Sequence, residues 1–161
     1  MDFEKEILEG FVVESREHLR TIEDDFLLLE KQKDNPDKEI VNKVFRAIHT
    51  IKGAAGFLGL DKIGELSHIM ETLLSMVRSG EVSPGSRLVD RMLEGVDLLN
   101  TLLDNVENSQ SIDISTTVKK LKNLLNRNVS SDIKKELKTN MPVTLANGEV
   151  TGFSLNSYTL K

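Results

Sequence analysis

Phe45-Arg-Ala-Ile-His-Thr-Ile-Lys-Gly-Ala-Ala-Gly56 is the stretch on which the reading of this chain turns. At about 100° per residue, with His49 set to zero, Val44, Ile48, Ile51 and Ala55 fall at roughly 200° to 260° and Val41 at roughly 280°. Asn42, Arg46, Lys52, Gly53 and Gly56 fall within about 60° of His49 on the same helical projection. The histidine therefore points away from the apolar stripe, among cations, small residues and a polar amide. Gly53 and Gly56 sit inside a helix, where each costs roughly 1 kcal/mol relative to Ala. Such glycines are explained if another body must approach the helix closely. That body is either a neighbouring helix of the same bundle or a separate partner.

Working outward, Asn35 can cap this helix with Pro36 in its first position, giving a span of about 36 to 57. The segment before it, from about Phe3 to Lys31, carries Leu8, Phe11, Val12, Leu19, Ile22, Phe26 and Leu29 near a three-four repeat, which predicts one long amphipathic helix. Gly59 and Asp61 provide a stop and a fresh N-cap for a third helix from about Lys62 to Ser79, ended by Gly80. A connection this short requires the two helices it joins to lie antiparallel and adjacent. Ser83-Pro84-Gly85 is a turn, and a fourth helix follows to about Glu107. Asn108 to Ser111 is read as a loop and Ser115 to Asn128 as a fifth helix.

The expected fold is all-α, an up-and-down antiparallel bundle with a four-helix core and a fifth helix, over residues 1 to about 128. Residues 129–161 read as a linker or weakly structured tail. Ser130 to Lys138 could form a short helix, and Asn147-Gly148 carries a hairpin signal.

Composition agrees with this class. Of 161 residues, 39% are apolar, 4% aromatic and 29% charged, which favours helix on helix over a β-sandwich. Cysteine is absent, so disulfides and thiolate metal sites are excluded. The net charge of −5 with interspersed signs lacks the basic face of a nucleic-acid binder. No stretch approaches the roughly 20 apolar residues of a membrane span, and Met1-Asp-Phe-Glu-Lys-Glu is unlike a signal peptide. The expectation is a cytoplasmic domain, monomeric by itself, that neither binds nucleic acid nor inserts into a membrane.

Of the three histidines, His18 reads as a structural residue of the first helix. His68 and Glu71, three apart on the third helix, share a face roughly 100° to 160° from the stripe centred on Met70. If the second and third helices are antiparallel neighbours, the His49–Lys52 and His68–Glu71 faces can meet along one groove. A carboxylate accepting from Nδ1 fixes the imidazole tautomer and leaves Nε2 as the nucleophile, and Glu71 is the candidate. Lys52 can stabilise the oxygens of a phosphoryl group on His49, and His68 can add a supporting hydrogen bond. A zinc site of His49, His68 and Glu71 has suitable ligand types, but no His-x-x-x-His doublet is present and Lys52 would repel the ion. No metal is therefore expected. Walker-type and Gly-x-Gly nucleotide loops are missing, so nucleotide binding by this chain is not expected either.

The Phe45–Gly56 stretch resembles the phosphorylation-site helix of histidine phosphotransfer domains, in which His-x-x-Lys-Gly marks the acceptor. His68-Ile-Met-Glu71-Thr-Leu-Leu is similar to the third helix of the N-terminal phosphotransfer domain of CheA-type chemotaxis kinases. The likeness covers about residues 1 to 128; Ala54 departs from it, standing where relatives often have a second glycine. The resemblance implies that His49 accepts a phosphoryl group, Glu71 orients its ring, and Lys52 and His68 support the network. It also implies two partners: the ATP-binding domain of a histidine kinase, which supplies ATP and Mg²⁺, and response-regulator receiver domains, which take the phosphoryl group on Asp. Arg46, Gly53 and Gly56 would then face these partners. The sequence leaves open whether the chain is a fragment of a larger kinase or a free-standing carrier. A non-catalytic helical interaction module using the same groove is the competing reading.

Overall fold

The computed structural model describes residues 3–127, and every regular element within them is helical. In chain order these are α1 (Phe3–Leu19), α2 (Ile22–Lys31), α3 (Lys38–Leu58), α4 (Asp61–Arg78) and α5 (Ser86–Asp104). A short 3₁₀ helix (Val106–Ser111) and α6 (residues 115–127) follow. The short helix and hairpin expected in the tail lie outside the described residues.

The long first helix expected from Phe3 to Lys31 is in fact two. The chain breaks at Arg20 and Thr21, and α2 starts at Ile22. Neither glycine nor proline marks the break. Leu19 and Ile22, one on each side, are both buried. A three-residue step keeps them in phase, so the apolar repeat runs through the bend without recording it. The bend lets both α1 and α2 pack against α3 and α5.

The start of α3 also differs from expectation. Its N-cap is Asp37, not Asn35, and Pro36 lies outside the helix rather than at its first position. The Asp37 carboxylate accepts the Glu39 N–H at 2.9 Å, while the Asp37 N–H is taken by Gln32 Oε1 at 3.0 Å. A carboxylate two residues before a free N–H at the positive helix end outcompetes the amide upstream.

At the other end Gly59 adopts φ 72°, and the N–H of Leu60 reaches back to Ala55 O at 2.9 Å. This left-handed closure suits a residue without Cβ. Leu60 takes the N-cap position of α4 without a side-chain bond, so the expected cap Asp61 is instead the first helical residue. Its carboxylate accepts from Gln110 Nε2 at 3.3 Å. Gln110 belongs to the 3₁₀ helix that occupies the expected loop, and α5 ends at Asp104 rather than near Glu107.

The core is made by the stripes read from the sequence. Ile48, Ile51 and Ala55 of α3 meet Ile63, Leu66, Met70, Leu73 and Leu74 of α4, with Met92, Val96 and Leu99 of α5 behind them, all essentially without exposure. The α3–α4 pair has the most extensive contact in the bundle. Gly95 of α5 lets the Met70 thioether approach: a Cβ there would lie 2.8 Å from its sulfur. Peripheral ties complete the frame, with Lys43 of α3 bonded to Asp25 of α2 at 3.1 Å and Arg16 of α1 paired with Asp104 of α5.

The revised cap has a direct consequence for stability. Asp37→Ala should cost about 0.5–2 kcal/mol in urea unfolding, whereas Asn35→Ala should stay within roughly 0.5 kcal/mol. A larger loss from Asn35→Ala would return the cap to its expected position.

Candidate functional site

The antiparallel path of α3 and α4 brings together three of the four residues singled out for chemistry. His49 stands on the outer face of α3 with 58% of its side chain exposed, one residue from the fully buried Ile48. Its Nδ1 is hydrogen-bonded to Glu71 Oε2 of α4. A carboxylate can only accept, so Nδ1 carries the proton and the lone pair belongs to Nε2.

Glu71 is the least exposed member of the group, with 13% of its side chain accessible, and its second oxygen is also occupied. Lys52 Nζ donates to Oε1 at 2.6 Å. Burial alone pushes the Glu71 carboxyl up; the hydrogen bonds from Lys52 and His49, with the ammonium charge of Lys52, outweigh it and hold the group below its ordinary 4.5. The carboxylate thus stays ionised while bridging two donors on α3.

Lys52, read from the sequence as a cation able to stabilise phosphoryl oxygens, is here hydrogen-bonded to Glu71. One turn beyond His49, its ammonium is committed to Glu71, where it orients and neutralises the carboxylate. His68 is exposed on α4, and its ring makes no hydrogen bond to His49 or Glu71 among the described residues. The expected supporting hydrogen bond is absent in this arrangement, although His68 remains one turn from Glu71 on the same face. Its backbone carbonyl accepts from Thr72 Oγ1 at 3.0 Å.

The two helical glycines lie exposed along the line of His49. A Cβ built on Gly53 or Gly56 meets nothing within 4 Å, so neither makes room for a helix among the described residues. That removes, among the described residues, the explanation by a neighbouring helix. Arg46 is exposed on α3 about one turn before His49, on the flank that it shares with Lys43 and with His18 of α1. Among the described residues no group of three or more His, Asp or Glu side chains is arranged to hold a metal ion. No described helix is long and apolar enough to cross a membrane.

Sequence reasoning missed three neighbours of the site. The Phe45 ring, one turn before His49, stacks on the imidazole with centroids 5.8 Å apart and planes 10° from parallel. Arg78, in the last turn of α4, places its guanidinium carbon 3.9 Å from the Phe45 centroid. Phe57, two turns after His49, is 87% exposed. The i, i+4 spacing of Phe45 and His49 was a usable signal. Arg78 becomes visible only once the α3–α4 register is known.

Comparison with known proteins agrees with this geometry. The chain is 34% identical over 139 residues to the sensor histidine kinase CheAY of Helicobacter pylori, an alignment covering 81% of this chain and 17% of that protein. It thus spans about a sixth of that relative's length. The CheA phosphotransferase domain from Thermotoga maritima superposes with TM-score 0.60 at 35% identity, covering 66% of this chain and 98% of that one. The phosphorylated P1 domain of CheA3 from R. sphaeroides, solved in complex with CheY6, superposes with TM-score 0.65 at 26% identity, covering 76% and 97%. The family model of the Hpt domain matches residues 6–109, spanning the His49–Glu71 pair and the helices that frame it, and the chain belongs to the Hpt domain family.

Proposed function

We propose that this chain is a phosphoryl carrier of two-component chemotaxis signalling, in which His49 takes a phosphoryl group from the ATP-binding domain of a histidine kinase and passes it to an aspartate of a receiver domain. The bond from His49 Nδ1 to Glu71 carries this reading. The Nε2 lone pair attacks the γ-phosphorus of ATP held by the kinase domain. The N–P bond forms as the P–O bond to ADP breaks, and ADP leaves with that electron pair. The ring gains positive charge in this step while keeping its Nδ1 proton, and the Glu71 carboxylate stabilises that charge. In the return step a receiver carboxylate oxygen attacks phosphorus, the N–P bond breaks, and Nε2 recovers its lone pair.

Positioning and charge stabilisation supply most of the catalysis in phosphoryl transfer, so an exposed helix face can act as the carrier. The nucleotide and Mg²⁺ belong to the partner domains. Lys52 keeps Glu71 ionised and aimed, Arg46 contributes positive charge on the approach, and the open faces of Gly53 and Gly56 admit the partner surface. Exposed His68, one turn before Glu71 on the same face of α4, would add a hydrogen bond once a phosphoryl group is attached. A passive docking module would use the same groove but would have no need of a carboxylate holding one histidine tautomer.

Incubation with a CheA-type kinase domain, Mg²⁺ and γ-labelled ATP should label the wild-type chain and leave His49→Gln unlabelled; equal labelling of both would overturn the assignment. Glu71→Ala should slow labelling roughly 10- to 100-fold by freeing the ring. The same change should cost less than about 2 kcal/mol of stability, since it leaves the apolar core intact.

The Glu71 carboxyl also sets an acid limit. Its folded pKa lies below the ordinary 4.5, so its contribution to stability is complete above that value and is lost as pH falls through the lower folded one. Urea midpoints of wild type and Glu71→Gln should therefore differ by a constant amount near neutrality and converge in acid. A gap that widened in acid would contradict the sign of the shift.

Gly53→Ala and Gly56→Ala should each raise stability by up to about 1 kcal/mol, because helix propensity improves and nothing intervenes. The same variants should exchange phosphoryl groups more slowly with protein partners, measured as receiver-dependent loss of label.

A further inference from the structure

A hydrogen bond to Nδ1 holds one edge of the His49 ring, and the bond to Cβ holds another. The ring can still rock by small coupled changes of χ1 and χ2 that keep the Nδ1 contact, and with 58% of the side chain exposed, solvent offers little resistance. Such a swing displaces Nε2, the atom that must meet phosphorus in line.

The flat neighbour that opposes it is Phe45. Its ring lies 10° from parallel with the imidazole at a centroid separation of 5.8 Å, within the offset-stacking range. Phe45 is itself only half-buried, and the guanidinium of Arg78 holds it from α4 at 3.9 Å from the ring centroid. Glu71 and Arg78 both come from α4, so the two restraints on the imidazole share one frame.

We infer that Phe45, held by Arg78, is a positioning residue that fixes the plane of the His49 ring for phosphoryl transfer; this rests on His49 being the acceptor. Phe45 makes no contact with the phosphoryl group and acts through the imidazole. Glu71 selects the tautomer, and the stack removes the remaining swing.

The test uses the full chain as wild type, Phe45→Leu, Phe45→Tyr and Arg78→Gln, with melting temperature recorded for each. Two phosphoryl donors are compared: the kinase domain with ATP and Mg²⁺, and phosphoramidate, which brings no docking surface. Phe45→Leu should slow both reactions about 2- to 10-fold, the rate equivalent of one aromatic pair. In the kinase reaction the loss should fall on kcat with KM unchanged. Phe45→Tyr, which keeps the flat ring, should stay within about twofold of wild type, and Arg78→Gln should slow both donors in the same direction. The His49 ring protons in wild type should show a ring-current displacement that is absent from Phe45→Leu.

Equal rates for Phe45→Leu and wild type would overturn the inference while leaving the acceptor assignment intact. A defect confined to the kinase reaction would also overturn it, by making Phe45 a docking residue. So would equal losses in the Leu and Tyr variants. If Phe45→Leu fails to fold, Arg78→Gln and Phe45→Tyr decide the matter, and wild-type behaviour of Arg78→Gln with both donors refutes the restraint. Wild-type chain that takes no label from either donor refutes the acceptor assignment and this inference together.

Discussion

Gly59 and Leu60 are all that separates α3 from α4, and the working geometry depends on that brevity. With Gly59 at φ 72° the chain reverses within two residues, so α4 must return along α3. Each residue of α3 is then matched to one lying about as far beyond the turn as it lies before it. His49 and Lys52 meet Glu71 in this way, and Phe45 meets Arg78 a turn or so further along. A longer connection would leave the two helices free to slide. Sliding by one turn would move partners about 5.4 Å apart, well beyond hydrogen-bonding reach.

The register is held from the inside. Ile48, which precedes His49, is fully buried, and so are Met70 and Leu73 on either side of the Glu71 position. The exposed chemistry therefore rides on side chains that cannot move without opening the core, and a half-exposed imidazole inherits the precision of close-packed aliphatics. Gly95 contributes from the far side, where its missing Cβ allows α5 to seat against Met70. Lys52 and Glu71 add an ion pair between the same two helices, at moderate depth, where both charges are satisfied and screening is reduced.

The helical class, the antiparallel α3–α4 pair and the outward angle of His49 were all legible in the sequence, because each follows from apolar periodicity and a two-residue turn. The break at Arg20–Thr21 was not, since a bend that preserves apolar phase leaves no mark in a pattern of apolar residues. The sequence points to Asn35 because Asn35-Pro36 is a good local signal, and the bond from the Asp37 N–H to Gln32 Oε1 is visible only in three dimensions. Within the site, spacing could place Glu71 opposite His49, but not decide which atom Lys52 would choose. Its ammonium went to the carboxylate, the strongest acceptor within reach. The aromatic ring beneath His49 lay inside the decisive stretch itself, yet Phe45 also suits a core-flanking position, and its partner Arg78 is distant in sequence.

Nε2 of His49 is a single reactive atom on a helix of 21 residues, about 31 Å long. A standard protein interface covers roughly 800 Å² on each side, a patch about 30 Å across, so any domain centred on His49 occupies nearly the whole exposed flank of α3. On the proposed function, donor and recipient of the phosphoryl group would compete for the same ground. Occupancy would then become a form of timing: a loaded carrier would part from its donor before meeting its recipient, and tighter binding at one step would delay the next.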